Sequence, residues 1–325
     1  MIKYGLIGKK LGHSFSANYF NAKFRAGAIP AEYFLYEIND IRKIISVIES
    51  NPGLRGLNVT IPYKEDVLPF LTSLTDTAKA IGAVNTIRIE TSQSGLILTG
   101  HNTDAEGFRT AITPLLGGRS SSLILGTGGA SKAVKYAFRE LNINYTQVSR
   151  IPSADTLTYS ELSKEIIKNH DIIVNCTPLG MWPEIDQYPP IPYPYLSPQH
   201  LCFDLVYNPE ITEFMRLSAE YGAITENGHR MLINQANAAY KFWNLKTYIS
   251  RYYNSENSGN YRIRKVMSRK IVIVAPGQAE ESYYLSLATL FLSTSNEVMR
   301  VDISPFEKEA AGVEYLDSPF VISIN

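Results

Sequence analysis

The chain has 325 residues, enough for more than one domain and a sizeable core. Lysine plus arginine balance aspartate plus glutamate at 31 each, so no global field favours nucleic acid or an anionic membrane, and small molecules are the expected partners. Cys176 and Cys202 are too few for a disulfide framework, the N-terminus has no signal-peptide pattern, and no apolar run approaches the roughly 20 residues of a membrane span; a cytoplasmic α/β protein is expected.

The opening strand, 4–8, runs into a polar loop at 9–16, and a helix is predicted over 17–26. A strand at 33–36, a helix at 41–48 and a strand at 56–60 continue the alternation of parallel βα units. Ligands in open α/β sheets bind beyond the carboxyl ends of strands, which makes Thr60 and Lys64 site candidates by position. After a helix over 76–81, segments 83–90 and 95–99 read as a hairpin, with Asp104 directly following. A helical pattern over 105–116 stops at Gly117-Gly118, and the strand at 122–125 opens a second alternating block. Its glycine turn, helix 131–141, strand 145–149, helix 159–169 and strand 171–175 have the form of half a Rossmann sheet. The proline-dense run 183–198 reads as surface loop, before a strand at 202–206 and a long helix over 228–248. Beyond 251 a polar linker precedes a strand at 270–275, a helix at 279–292 and a strand at 297–303, a small βαβ-like candidate without a catalytic motif.

Chemistry begins at Gly126-Thr127-Gly128-Gly129-Ala130-Ser131, between an apolar strand and a helix. Glycines there permit a tight turn and a close approach to a dinucleotide pyrophosphate, although the third fingerprint position is Ser131 rather than Gly or Ala. About 20 residues on, where an acidic side chain would take the ribose hydroxyls of NAD, stand Val148-Ser149-Arg150. An arginine suits a 2′-phosphate, so NADP is favoured over NAD; the plainer reading of Arg150 is a solvated loop cation. Moving hydride at an alcohol carbon requires a general acid/base at its oxygen, and Lys64 with Asp104 are the candidates. In isolation, Lys64 before Glu65-Asp66 is a surface charge at a helix start, and Asp104 before Ala105-Glu106 an N-cap. The five histidines show no metal-ligand spacing.

Seven ordered runs then carry a family resemblance: 12–16 (GHSFS), 58–64 (NVTIPYK), 82–86 (GAVNT), 102–108 (NTDAEGF), 126–131, 175–181 (NCTPLGM) and 228–236 (GHRMLINQA). Over residues 1 to about 248 the chain resembles the shikimate dehydrogenase family. The resemblance implies a reversible NADPH-linked reduction of 3-dehydroshikimate to shikimate in aromatic amino-acid biosynthesis, with Lys64 and Asp104 as the catalytic pair. It implies that Ser14, Ser16 and Tyr207 hold the substrate carboxylate, and that Asn58, Thr60, Asn85 and Gln235 address its hydroxyls and carbonyl. Thr177, Gly180 and Met181 would border the nicotinamide, and Gly228 completes the cofactor set of Gly126, Thr127, Gly128, Gly129, Ala130, Ser149 and Arg150. The implied architecture is α/β with two lobes. Residues 1–104, completed by helix 228–250, bind substrate; 105–227 form a Rossmann-like NADP domain; 251–325 are an extension without an assigned role. That extension leaves a homodimer among the arrangements open to the chain.

Three departures from the family pattern stand out. Lys10 and Ala17 replace the prolines usual around the serine motif, Ser149 and Ile151 flank Arg150 where asparagine and threonine are familiar, and the chain continues past the usual C-terminal helix. An NAD-linked quinate/shikimate dehydrogenase is the nearest rival. A metabolite-sensing protein that binds without turnover is the rival from another class, against which retention of both Lys64 and Asp104 argues.

Overall fold

The computed structural model describes residues 1–244, apart from His13 and Ser94, and four strands within 264–324. Residues 1–244 form one compact unit and 245–325 a second. The first unit opens with β1 (Ile2–Gly8), α1 (Phe15–Ala26), β2 (Ala31–Glu37), α2 (Ile44–Glu49), β3 (Leu54–Val59), β4 (Ser73–Leu74), α3 (Asp76–Ile81), β5 (Thr86–Ser92) and β6 (Gly95–His101). These strands make one sheet in the order β2-β1-β3-β5-β6-β4. β1 runs parallel to β2 and β3, and the β5–β6 hairpin joins antiparallel.

Alternation along β1 sends Ile7 into an aliphatic core with Ile44, Leu57, Val84 and Ile87, and Tyr4 to the other face. There Tyr4 stacks on Trp243 at 4.7 Å between ring centroids and Phe20 stacks on Tyr33 at the same distance. The Tyr4 hydroxyl donates to Asn244 Oδ1 at 2.9 Å, tying the first strand to the end of the last helix of this unit. A fully buried ring such as Phe20 stabilises the fold by about 1.5–3 kcal/mol relative to an exposed one.

The second sheet uses α4 (Asp104–Ile112), β7 (Ser121–Leu125), α5 (Gly129–Glu140), β8 (Asn144–Ser149), β9 (Thr156–Thr158), α6 (Lys164–Lys168), β10 (Ile172–Asn175), β11 (Leu201–Asp204), α7 (Glu213–Glu220) and β12 (Ile224–Glu226), after which α8 (His229–Trp243) returns to pack on α4, β3 and β5. Its order is β12-β11-β10-β7-β8-β9 with every pair parallel, a complete doubly wound sheet rather than the expected half. Strands buried on both faces explain their unbroken apolar runs, with Ile124, Val174 and Phe203 in one core layer and Leu123, Ile173 and Phe214 in the other. The strand order reverses between β7 and β10, so the turns after these two strands flank the crevice where such sheets bind ligands.

The differences from sequence expectation have local causes. Edge strands β9 and β12 have three residues each, too short for a readable period. α7 went unread although Thr212 caps Met215 and Glu213 follows it in the first turn. The helix expected over 159–169 splits into a 3₁₀ turn, Tyr159–Glu161, and α6, because Ser163 starts a new helix by accepting from Ile166 N. Helix 105–116 ends at Ile112 and passes into a 3₁₀ turn carrying Pro114. The last helix stops at Trp243, and 245–248 lie outside the described residues.

In the second unit β13 (Arg264–Val266), β14 (Lys270–Val274), β15 (Val301–Pro305) and β16 (Phe320–Ile324) pair antiparallel in the order β13-β14-β16-β15. This corrects the βαβ-like expectation: β16, unread in the sequence, separates the two strands expected to be neighbours. The helix expected at 279–292 lies outside the described residues. Among the described residues no helix is long and apolar enough to cross a membrane.

One half-buried side chain gives a pH prediction. His101, at the end of β6, stacks on Phe242 at 4.7 Å and has Nδ1 2.8 Å from Thr75 Oγ1. Burial, helped by nearby Arg88, lowers its pKa to about 4. The neutral ring's contribution to stability is therefore complete above about pH 6.5, the value of a free histidine, and lost as pH falls toward 4. A ring-proton NMR titration should find His101 uncharged at pH 5.5; a midpoint near the free value would contradict this burial.

Candidate active site

β3 ends at Val59, and the chain turns so that Lys64 meets the start of α4. Lys64 Nζ lies 2.6 Å from Asp104 Oδ2, with the side chains 18% and 9% exposed. Asp104 is not the helix cap: Asn102 Oδ1 accepts from the backbone N–H groups of Asp104 and Ala105 at 3.1 and 3.3 Å. The Asp104 carboxylate is thereby available for side chains, and its other oxygen accepts from Asn85 Nδ2 at 2.8 Å. Lys64 is held from behind by its carbonyl, which accepts from Val84 N at 2.7 Å.

A buried polar chain runs from this pair toward the serine motif. The Tyr33 hydroxyl, with Ser16 beside it, donates to Asn58 Oδ1 at 2.8 Å. Asn58 Nδ2 donates to Asn85 O and Thr86 Oγ1, both at 3.2 Å. Asn85 Oδ1 in turn accepts from Thr103 N at 2.7 Å, one residue before Asp104. Asn58 and Asn85, both expected to address substrate, are thus tied into the same hydrogen-bonded network that holds Asp104. Tyr33, whose phenol burial pushes well above its ordinary range, was missed altogether; only its place in β2 was visible.

Other residues converge on the same end of the sheet. Ser14 occupies the N-cap position of α1 without a side-chain capping bond. Its neighbour Phe15 packs edge-on to Tyr207 at 6.1 Å and to His229 at 5.7 Å, bringing the loop after β11 and the start of α8 to the serine motif. Thr60 is fixed through its backbone N–H to Ile7 O at 3.0 Å. Gln235 lies buried on α8, donating to Leu232 O at 2.9 Å.

The glycine turn after β7 faces this group. Gly126 has φ +106°, a left-handed conformation that favours glycine, and an added Cβ would come within 3.1 Å of Thr177 Cγ2. The turns after β7 and β10 therefore touch. Gly128 borders open space, and the N-terminus of α5 has no side-chain cap, so its N–H groups and the cradle above them fit a dinucleotide pyrophosphate. Ser131, in the third fingerprint position, is buried and its hydroxyl donates to Gly128 O at 2.7 Å, stitching the turn closed. A Cβ added at Gly129 would lie 3.7 Å from Lys64 Cβ and Cδ, and Lys132 Nζ pairs with Glu65 Oε2 at 2.6 Å. The dinucleotide turn and the lysine motif are in contact.

A family model of the shikimate dehydrogenase substrate binding domain matches residues 6–87. The shikimate dehydrogenase (NADP(+)) of Desulforamulus reducens is 34% identical over 268 residues, covering 74% of this chain and 88% of that protein. The chain belongs to the shikimate dehydrogenase family. Shikimate dehydrogenase 1 from Peptoclostridium difficile matches its structure with a TM-score of 0.66 at 34% identity, covering 78% of this chain and 97% of that one. Quinate dehydrogenase from Corynebacterium glutamicum, solved with NAD, gives a TM-score of 0.65 at 26% identity, over 77% and 99% of the two chains.

Within the shikimate dehydrogenase family the departure at Ser149 has a structural explanation. Its buried hydroxyl oxygen accepts from Ile151 N at 3.0 Å, a side-chain-to-backbone turn of the kind asparagine also makes. The turn leaves Arg150 exposed beside Tyr159, while Ile151 is 76% exposed where a polar residue is familiar.

Proposed function

We propose that this chain catalyses the reversible NADPH-dependent reduction of 3-dehydroshikimate to shikimate, with Lys64 as general acid/base and Asp104 as its partner. The observation that carries the reading is the 2.6 Å Lys64–Asp104 pair beside the open turn at Gly128 and Gly129. When bound, NADPH supplies the hydride. Lys64 gives its proton to the carbonyl oxygen during reduction and takes the hydroxyl proton in reverse. Asp104, fixed by Asn85 and Asn102, aims the Lys64 ammonium. Ser14, Ser16 and Tyr207 hold the carboxylate, with Asn58, Thr60, Asn85 and Gln235 bonding the ring's oxygen groups. A polyhydroxylated acid needs such convergent partners, because each buried polar group left unpaired costs about 1–3 kcal/mol.

In this reading Gly126, Thr127, Gly128, Gly129 and Ala130 hold the pyrophosphate, Arg150 the 2′-phosphate, and Thr177, Gly180 and Met181 the nicotinamide end. The test follows nicotinamide absorbance with shikimate and quinate against NADP and NAD in all four pairings. Preferred reduction of NADP by shikimate is expected, and absence of turnover in folded protein would favour a sensor.

The second reading, an NAD-linked quinate/shikimate dehydrogenase, draws on Ser149 and Ile151 beside Arg150 and on the similarity to an NAD-bound quinate dehydrogenase. Arg150→Ala separates the two. Loss of a charge-assisted contact to phosphate should raise KM for NADP about tenfold or more and leave KM for NAD nearly unchanged. Equal effects on both would remove Arg150 from phosphate recognition.

A further inference from the structure

Asp204, the last residue of β11, is fully buried and lies outside every set of residues assigned so far. Asn175 Nδ2 and Val206 N donate to its Oδ1, both at 2.9 Å, and the Thr212 hydroxyl donates to Oδ2 at 2.6 Å. Two of these donors lead to different parts of the site, and the third, Thr212, caps α7. Asn175 Oδ1 accepts from the backbone N–H and hydroxyl of Thr177 at 3.0 and 2.6 Å, and Thr177 Oγ1 accepts from Leu179 N at 3.3 Å, so Asn175 shapes the turn after β10. Val206 immediately precedes Tyr207. The two loops are also joined directly, since Trp182 N donates to Asn208 O at 3.1 Å. Gly228 closes the arrangement: its N–H donates to Val206 O at 3.1 Å, and an added Cβ would lie 2.1 Å from Leu205 O.

We propose that Asp204 is a positioning residue that sets the Thr177 turn and the Tyr207 loop against each other, and with them the nicotinamide end of the cofactor against the substrate carboxylate. This inference rests on the NADP-dependent reading above and deepens it. Burial pushes the Asp204 carboxyl up to about 6 despite its three donors, so the fold carries an electrostatic cost at this position. A carboxylate can accept from all three donors at once, whereas an amide of the same shape has one oxygen and places an NH₂ group against Thr212.

The adenosine half of the cofactor lies outside this linkage, and that gives the test. Affinities for NADP⁺ and for adenosine 2′,5′-bisphosphate are measured by calorimetry on the full chain and on Asp204→Asn, together with steady-state constants and thermal unfolding. In Asp204→Asn, NADP⁺ should bind at least about fivefold more weakly while the bisphosphate stays within about twofold, and kcat should fall about tenfold, the scale of one charge-assisted hydrogen bond. Thr212→Val, which keeps the carboxylate and its bond to Asn175, should move the same constants in the same direction by less, and it carries the test if Asp204→Asn does not fold. Unchanged NADP⁺ affinity and kcat, or equal weakening of both ligands, would overturn the assignment. Wild-type protein that binds NADP⁺ without oxidising shikimate would count against the proposed reaction instead, and the comparison of the two ligands would still decide the role of Asp204.

Discussion

Replacing Lys64 with alanine should lower shikimate turnover by at least about a hundredfold, the scale of a lost general acid/base, while NADPH affinity stays close to that of the parent. The side chain approaches Asp104 Oδ2 at 2.6 Å, and the backbone anchor from Val84 N does not depend on it. Truncation therefore removes the proton carrier without releasing the turn that holds it. Asp104 is left 9% exposed and without its cation, but it keeps Asn85 and the start of α4. Some stability is lost, since removing one partner of a buried pair is destabilising. Thermal unfolding measured beside turnover distinguishes that loss from a chemical one. Near-normal turnover in a folded variant would remove Lys64 from the reaction.

The second large effect is expected from Asp104→Asn. The carboxylate accepts from Lys64 on one oxygen and from Asn85 on the other. An amide keeps the shape but has a single acceptor oxygen, so an NH₂ group must face either the ammonium or the Asn85 amide. kcat/KM for shikimate should fall about 10- to 100-fold, matching about 1.5–3 kcal/mol for a hydrogen bond to a charged group. Steady-state kinetics decide it, and constants equal to the parent's would show that Asp104 does not orient the proton carrier.

Much of this site was legible because its residues occur in short runs at the carboxyl ends of strands. Lys64 after β3 and the glycines after β7 could be placed from the alternation of apolar segments alone. What joins those runs could not be placed. Nothing in the sequence indicates that Tyr33 reaches Asn58, that Asn102 rather than Asp104 caps α4, or that Asp204 connects Asn175 to Thr212. These are side-chain bonds between elements, and hydrophobic period carries no information about them. The fold shows the same division. In the first unit the strands of four or more residues were read, while β9 and β12, at three residues, were not. α7 could have been found from its Thr212 cap and buried Phe214 and Met215, but its eight residues make barely two turns, too few for a clear period.

The Trp243 contact with the first sheet bears on how the chain is made. Tyr4 and Tyr33 on the sheet and Phe20 on α1 form the aromatic face that Trp243 packs against, and the partners are more than 200 positions apart in sequence. During synthesis from the N-terminus, that aromatic face emerges well before α8 and stays uncovered until the whole second sheet has been translated. Closure of so long a loop makes these contacts late and slow to form, and the nascent first sheet is the stretch that most needs protection from self-association or a chaperone's cover.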